Sequence, residues 1–193
     1  MNLIIMGNSR SGKTMLARQI CTTLPGYSLI SLDYLVMTFK KVFPDLKIDY
    51  YGKEETIFTK FVETYLDNCT YKSGGINYIL EGAAFPEKVI ERLNANPNNK
   101  VIFLGKPNLS PQEFFEEIRK YENGLSTGGW TKKLDDKILL SWCSDWIKKA
   151  KKQQKYCEQN NILFFDTSYN QQEVLNKIID GLAQKEQNKP LHL

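Results

Sequence analysis

The chain carries a single histidine, His192, close to its last residue, and its four cysteines, Cys21, Cys69, Cys143 and Cys157, lie far apart. No two cysteines share a C-x-x-C spacing. A structural zinc site gathers its ligands in such short-spaced pairs, so zinc chemistry is not expected. Long apolar runs are also missing. None approaches the roughly 18 residues that cross a bilayer. The first apolar run is only Leu3 to Met6 and has no basic segment before it, unlike a secretory leader. The corresponding expectation is a cytoplasmic protein with reduced cysteines. Charge of one sign is scarce too: 26 Lys+Arg against 22 Asp+Glu leave a net charge of +4, spread along the sequence. Nucleic-acid-binding faces are more strongly basic than this, so the expected partners include neither nucleic acid nor a membrane. Oligomeric state leaves no mark on the sequence.

What is present is ordinary globular material. The 193 residues are 41% hydrophobic, enough for one domain with a core of its own. Five short, β-branched apolar runs stand out: "LIIM" at 3–6, "SLISL" at 28–32, "INYIL" at 76–80, "KVIFL" at 100–104 and "ILFF" at 162–165. Near-continuous apolar runs of this length fit strands covered on both faces of a parallel sheet. Helical spacing fills the intervals, which makes the fold class α/β. Helices are expected at 34–43, 54–72, 110–123, 135–159 and 171–185, and another begins near Pro86. "SPQE" at 110–113 reads as a capping box, with Ser110 the cap, Pro111 in the first turn and Glu113 reaching back. "GLSTGG" at 124–129 breaks the pattern. The chain therefore reads as one domain over 1–193, with excursions from the sheet at 34–75 and, lid-like, at 106–135.

The stretch "GNSRSGKT" at 7–14 carries the chemistry. Gly7, Gly12, Lys13 and Thr14 match G-x-x-x-x-G-K-[ST], set between a strand and a helical pattern. Glycines let the backbone turn its N–H groups inward, and the helix start adds partial positive charge. Lys13 is placed to reach β- and γ-phosphates and Thr14 to ligate Mg²⁺ through its hydroxyl. Gly7, Asn8, Ser9, Arg10, Ser11, Gly12, Lys13, Thr14 and Met15 make up the expected nucleotide-binding set. For Arg10, phosphate contact and simple loop exposure both fit.

Ligands of open parallel sheets bind beyond the carboxyl ends of the strands. Asp33 follows "SLISL" there, and Glu81 follows "INYIL". Asp33 is the candidate base for an attacking hydroxyl, or else the cap of a helix starting at Tyr34. Glu81 is the candidate Mg²⁺ carboxylate, or else a surface acid in a turn. Gly82 lets backbone come close to an acceptor.

In this arrangement the chain resembles the adenylate kinase and shikimate kinase group of P-loop kinases over most of its length. "GNSRSGKT" resembles their phosphate loop, and "SLD" at 31–33 their acid after strand two. "ILEGAAFPE" at 79–87 is similar to the adenylate kinase stretch of strand, acid, glycine and Phe-Pro, with Glu81 for the usual aspartate. "FFDTS" at 164–168 resembles the last strand and the loop beside the adenine, which brings Thr167 into the nucleotide set. The resemblance implies a three-layer P-loop NTPase fold with a parallel sheet in order 2-3-1-4-5. It also implies ATP with Mg²⁺, and a lid between strands four and five. Two departures matter. No arginine lies between Arg18 and Arg92, and Glu87 follows Pro86, so the arginines with which relatives hold an acceptor phosphate are missing. Lys40, Lys41, Lys47 and Lys53 offer only point charges. An acceptor with a free hydroxyl and no phosphate fits better.

Family lids bring arginines over the transferred phosphate, and Arg119 is the only arginine between strands four and five. It is the candidate lid residue; a solvated helix face paired with Glu116 fits equally. Lys132, Lys133, Lys148 and Lys149 are further cations, and "KKAKKQQK" at 148–155 reads first as a solvated face. Trp142 and Trp146 share a helical face and suit core packing; Trp130 and the Tyr50–Tyr51 pair are candidates for stacking on a substrate. The reading is a phosphotransferase that moves the γ-phosphoryl of ATP to a small-molecule hydroxyl. The alternatives are a nucleoside or nucleotide kinase and a nucleotide-dependent switch. A guanine-reading N-K-x-D is absent, which leaves ATP against GTP open.

Overall fold

A computed structural model describes residues 1–46, 48, 55–72, 77–83, 85–124 and 129–187. The expected roles of Lys47, Lys53, Tyr50 and Tyr51, and most of the break at 124–129, fall outside these residues. Five strands form one parallel sheet in the order β2-β3-β1-β4-β5. They are β1 (Asn2–Gly7), β2 (Tyr27–Ser31), β3 (Asn77–Gly82), β4 (Asn99–Gly105) and β5 (Leu163–Asp166). The central strand β1 is buried throughout. Its residues alternate between two cores, as a strand's period of two requires. Ile4 and Met6 join Leu80, Val101 and Phe103 on one face, while Leu3 and Ile5 join Ile79, Ile102 and Leu104 on the other.

Helices cover both faces, so that two helical layers and the sheet make three. On the first face lie α2 (Leu32–Val42), α3 (Ile57–Lys72), α4 (Glu87–Ala95) and the end of α6 (Asp136–Gln159), through Val36, Phe58, Val89 and Cys157. On the other lie α1 (Lys13–Thr23) and α7 (Gln171–Gln187), through Leu16, Ile20, Leu175 and Ile179. A smaller core joins α5 (Pro111–Asn123) to α6 through Phe114, Ile118, Leu139 and Cys143. The expected capping box closes the start of α5: Glu113 N–H donates to Ser110 Oγ at 3.2 Å, and Ser110 N–H donates to Glu113 Oε2 at 2.7 Å.

The elements match their expected positions closely, with one shift that moves a key residue. β2 ends at Ser31, and Leu32 already belongs to α2. Asp33 is therefore not the cap before a helix at Tyr34. It lies in the first turn of α2, where the unpaired N–H groups and the helix dipole favour a carboxylate. Glu81 likewise is no surface acid in a turn. It sits inside β3, paired in register with Ile5 and Ser31, at 4% exposure. Among the described residues no helix is long and apolar enough to cross a membrane.

Candidate active site

The loop between β1 and α1 needs its glycines. Gly7 has φ +143°, and a Cβ there would lie 2.0 Å from the carbonyl oxygen of Leu104 on β4. Gly12 has φ +96°, which L side chains rarely adopt. Between them the loop folds back on one acceptor: Ser11 Oγ donates to the Asn8 carbonyl at 2.9 Å, and Lys13 Nζ donates to the same oxygen at 2.6 Å. Asn8 Nδ2 donates in turn to the Trp146 carbonyl on α6 at 2.5 Å. From below, Thr167 Oγ1 donates to the carbonyl of Ser11 at 3.0 Å and lies 3.2 Å from that of Gly105. Thr167 is fully buried. The structure thus places it under the loop as a brace, with no surface turned to a nucleotide.

A pocket of 260 Å³ opens above the loop. Its floor is Ser9, Arg10, Gly12, Lys13, Thr14 and Met15, and Asp33 and Glu81 stand at one side. Thr14 Oγ1 donates to Glu81 Oε2 at 3.1 Å, so the hydroxyl and the carboxylate expected to share an ion touch across α1 and β3. That donor set fits Mg²⁺, which takes oxygen ligands, keeps several waters and uses one or two carboxylates. Among the described residues no group of three or more His, Cys, Asp or Glu comes together, as a protein-only metal cage would need.

Electrostatics tie these groups into one unit. Burial pulls the Lys13 ammonium down to about 8, against the opposing pull of Glu81 and Asp33 and helped by nearby Lys149. Burial pushes the Asp33 carboxyl up; Lys13 draws it back and Glu81 adds to the rise. Asp33 Oδ1 is buried with no hydrogen-bond partner. A carboxylate with a raised pKa and a free lone pair is suited to accept a proton. Gly82 ends β3 beside Met6, buried behind these acids.

The opposite wall comes from α5 and its surroundings: Glu117, Ile118, Tyr121 and Trp130, with Gln171 from the start of α7. Sequence reasoning did not single out Glu117, Ile118, Tyr121 or Gln171. Arg119, expected over the transferred phosphate, is not brought to this pocket. Its guanidinium donates to Asp136 Oδ1 at 2.5 Å and to the carbonyls of Leu134 and Thr131 at 2.8 and 3.1 Å, which fastens α5 to the start of α6. Its acidic partners are Asp136 and Glu122 rather than Glu116. Lys106, just past β4, is 3% exposed and paired with Glu117 at 2.6 Å. The basic run at 148–155 is not uniformly solvated, because Ala150 and Gln153 are buried within it.

No protein-family model and no curated protein sequence matches the chain. Solved structures do. A shikimate kinase from Bacteroides thetaiotaomicron superposes with a TM-score of 0.57 at 16% identity, over 97% of this chain and 98% of that one. A gluconokinase from Sinorhizobium meliloti 1021 gives 0.57 at 15% identity, over 97% and 94%. The fold is that of the P-loop kinases. At such identity the P-loop kinase likeness fixes the path of the backbone; the chemistry rests on this chain's own side chains.

Proposed function

We propose that the chain transfers the γ-phosphoryl of ATP, taken as its Mg²⁺ complex, to a hydroxyl group of a small molecule. The observation that carries this is the placing of Asp33, with its raised pKa and unpartnered Oδ1, in one pocket with Lys13, Thr14 and Glu81. Loop N–H groups and Lys13 hold the polyphosphate, and Lys13 leaves the Asn8 carbonyl to do so. Thr14 and Glu81 would hold Mg²⁺, which when bound offsets charge on the phosphate oxygens. Asp33 accepts the proton of the attacking hydroxyl as the new O–P bond forms and the bond to the β,γ-bridging oxygen breaks. Gly82, expected beside the acceptor, is buried at the end of β3 and is not among the residues that line the pocket. The two kinases of like fold are described as acting on shikimate and, by name, on gluconate, both hydroxylated small molecules.

The acceptor side also speaks against a phosphorylated acceptor. Arg92, the first arginine after Arg18, is engaged by Glu63 at 2.8 Å and Glu55 at 2.7 Å. ADP formation is measured with MgATP and MgGTP against a panel of sugars, polyols, hydroxy acids, nucleosides and nucleoside monophosphates. Stimulation by an unphosphorylated alcohol, lost in Lys13→Ala with folding retained, is the expected result. Stimulation only by monophosphates supports a nucleotide kinase instead, and tight nucleotide binding without stimulation supports a switch.

A further inference from the structure

Arg10 stands in the phosphate loop at φ 63°, a left-handed conformation that residues bearing a side chain rarely adopt. Its guanidinium is deeply engaged. Nη2 donates to Glu122 Oε1 at 2.8 Å and to Thr131 Oγ1 at 2.5 Å. Glu122 is 1% exposed and lies on the stripe of α5 that otherwise buries Phe114 and Ile118. A carboxylate so desolvated needs a cation beside it. Thr131 Oγ1 also bonds Glu122 Oε1, and the rings of Tyr121 and Trp130 flank the guanidinium at 5.6 and 5.8 Å. Gly129 makes room for the pair, since a Cβ there would lie 2.6 Å from Arg10 Nη2 and 2.7 Å from Glu122 Oε1. The same arginine lines the pocket beside Lys13 and Asp33, and its Nε–H is buried with no partner.

We propose that Arg10 supplies, from inside the phosphate loop, the cation that stabilises the transferred phosphoryl group, with Glu122 and Thr131 gripping its far side. This rests on the kinase reading above. In the transfer, the acceptor oxygen bonds to the γ-phosphorus as the β,γ-bridging oxygen leaves with the bonding pair. The acceptor proton passes to Asp33, and the Arg10 guanidinium donates to a non-bridging γ-oxygen without losing its proton. Arg119, held by Asp136 and two carbonyls, is left as a positioning residue for the Thr131 segment.

Two substitutions, each checked for retained folding by thermal denaturation, separate this role from stability; Arg10→Gly leaves Glu122 with Arg119 as its cation at 3.4 Å. Arg10→Gly removes the side chain while suiting φ 63°. Gly129→Ala keeps both charges at an ordinary φ of −87° yet crowds the bridge. The measurements are acceptor-stimulated kcat and the affinities for MgADP and for the Mg²⁺ complex of β,γ-imido-ATP. Arg10→Gly is expected to lower kcat by about 10²–10³-fold, the usual loss for one charge-stabilising donor. It should leave ADP affinity nearly unchanged and abolish any preference for the triphosphate analogue. Gly129→Ala should move both quantities in the same direction by less. Retention of kcat within about threefold in Arg10→Gly, or equal weakening of di- and triphosphate, overturns the proposal. If the wild type shows the Arg10-dependent triphosphate preference but no acceptor-stimulated ADP formation, the kinase reading falls, and with it the role in transfer, while the contact of Arg10 with the γ-phosphate stands. Failure of the wild type to bind either nucleotide overturns both.

Discussion

Ser11, Lys13 and Thr167, under and within the phosphate loop, are buried, and each donates a hydrogen bond to a backbone carbonyl. A short distance away, α2 turns Tyr34 and Met37 to solvent at 72% and 65% exposure, and Asp33 keeps a buried oxygen without a partner. The two sides of one pocket are thus built differently. The phosphate side is largely finished before any ligand arrives: Ser11 and Thr167 are already bonded to loop carbonyls, and what is left to change is Lys13 leaving the Asn8 carbonyl and Arg10 Nε–H, which has no partner. The acceptor side is unfinished, and its free valences and apolar surface are left for a ligand to satisfy. For the proposed transfer, this division would serve binding that is general for a polyphosphate and particular for an acceptor.

The sharpest way to break the comparison is Asp33→Asn. Loss of the base is expected to cut kcat by about 10²–10⁴-fold, while nucleotide affinity, set on the finished side, stays close to wild type; turnover against binding by calorimetry checks this. The next effect is in pH. Lys13 titrates near 8 rather than its usual 10.5, so the unfolded chain holds that proton more tightly than the folded one. Lys13 therefore costs stability below pH 8, and the cost fades as pH rises from 8 to 10.5. Nucleotide binding runs the other way, because it needs the ammonium. Affinity should be flat below pH 8 and fall by up to about tenfold per unit above it, as measured by titration at several pH values. Thr167→Val removes the brace but keeps the volume. The Ser11 carbonyl loses this donor while that of Gly105 keeps the Thr167 N–H, and chemical denaturation should show a loss of about 1–3 kcal/mol with weakened nucleotide binding. Met37→Ser, on the exposed face of α2, should change stability by no more than about 0.5 kcal/mol. A changed acceptor KM in that variant would show that this face touches the acceptor.

The features legible in the sequence are those whose cause is local. The five strands announce themselves by continuous apolar runs, and the loop by glycines at fixed spacing. The start of α5 is read from Ser110, Pro111 and Glu113 alone. The start of α2 was misplaced because "SLISL" is apolar through Leu32, and composition cannot show where an apolar run stops being strand and becomes the buried face of a helix. What could not be read are pairings between distant segments. Arg10 and Glu122 are 112 positions apart, and Thr167 and Ser11 are 156 apart. A trace of the first does exist: Phe114, Ile118 and Glu122 recur every four residues, so the acid occupies a core position of an amphipathic helix. Such an acid requires a cation, and this one has two: Arg10 of the phosphate loop at 2.8 Å and Arg119 of its own helix at 3.4 Å. Arg119 went the other way, a lone arginine in the expected place whose donors were already taken up by neighbouring carbonyls and Asp136.

The tryptophans deserve a last look as optics. The chain has three, and all sit together: Trp130, Trp142 and Trp146 have ring centroids 6.0–6.2 Å from one another. One of them flanks Arg10, and the carbonyl of another receives the side chain of Asn8. Tryptophan emission, excited selectively over the ten tyrosines, therefore comes from a single spot beside the phosphate loop. Occupancy of the loop can be followed by intrinsic fluorescence in stopped flow, on unlabelled protein and before any acceptor is known.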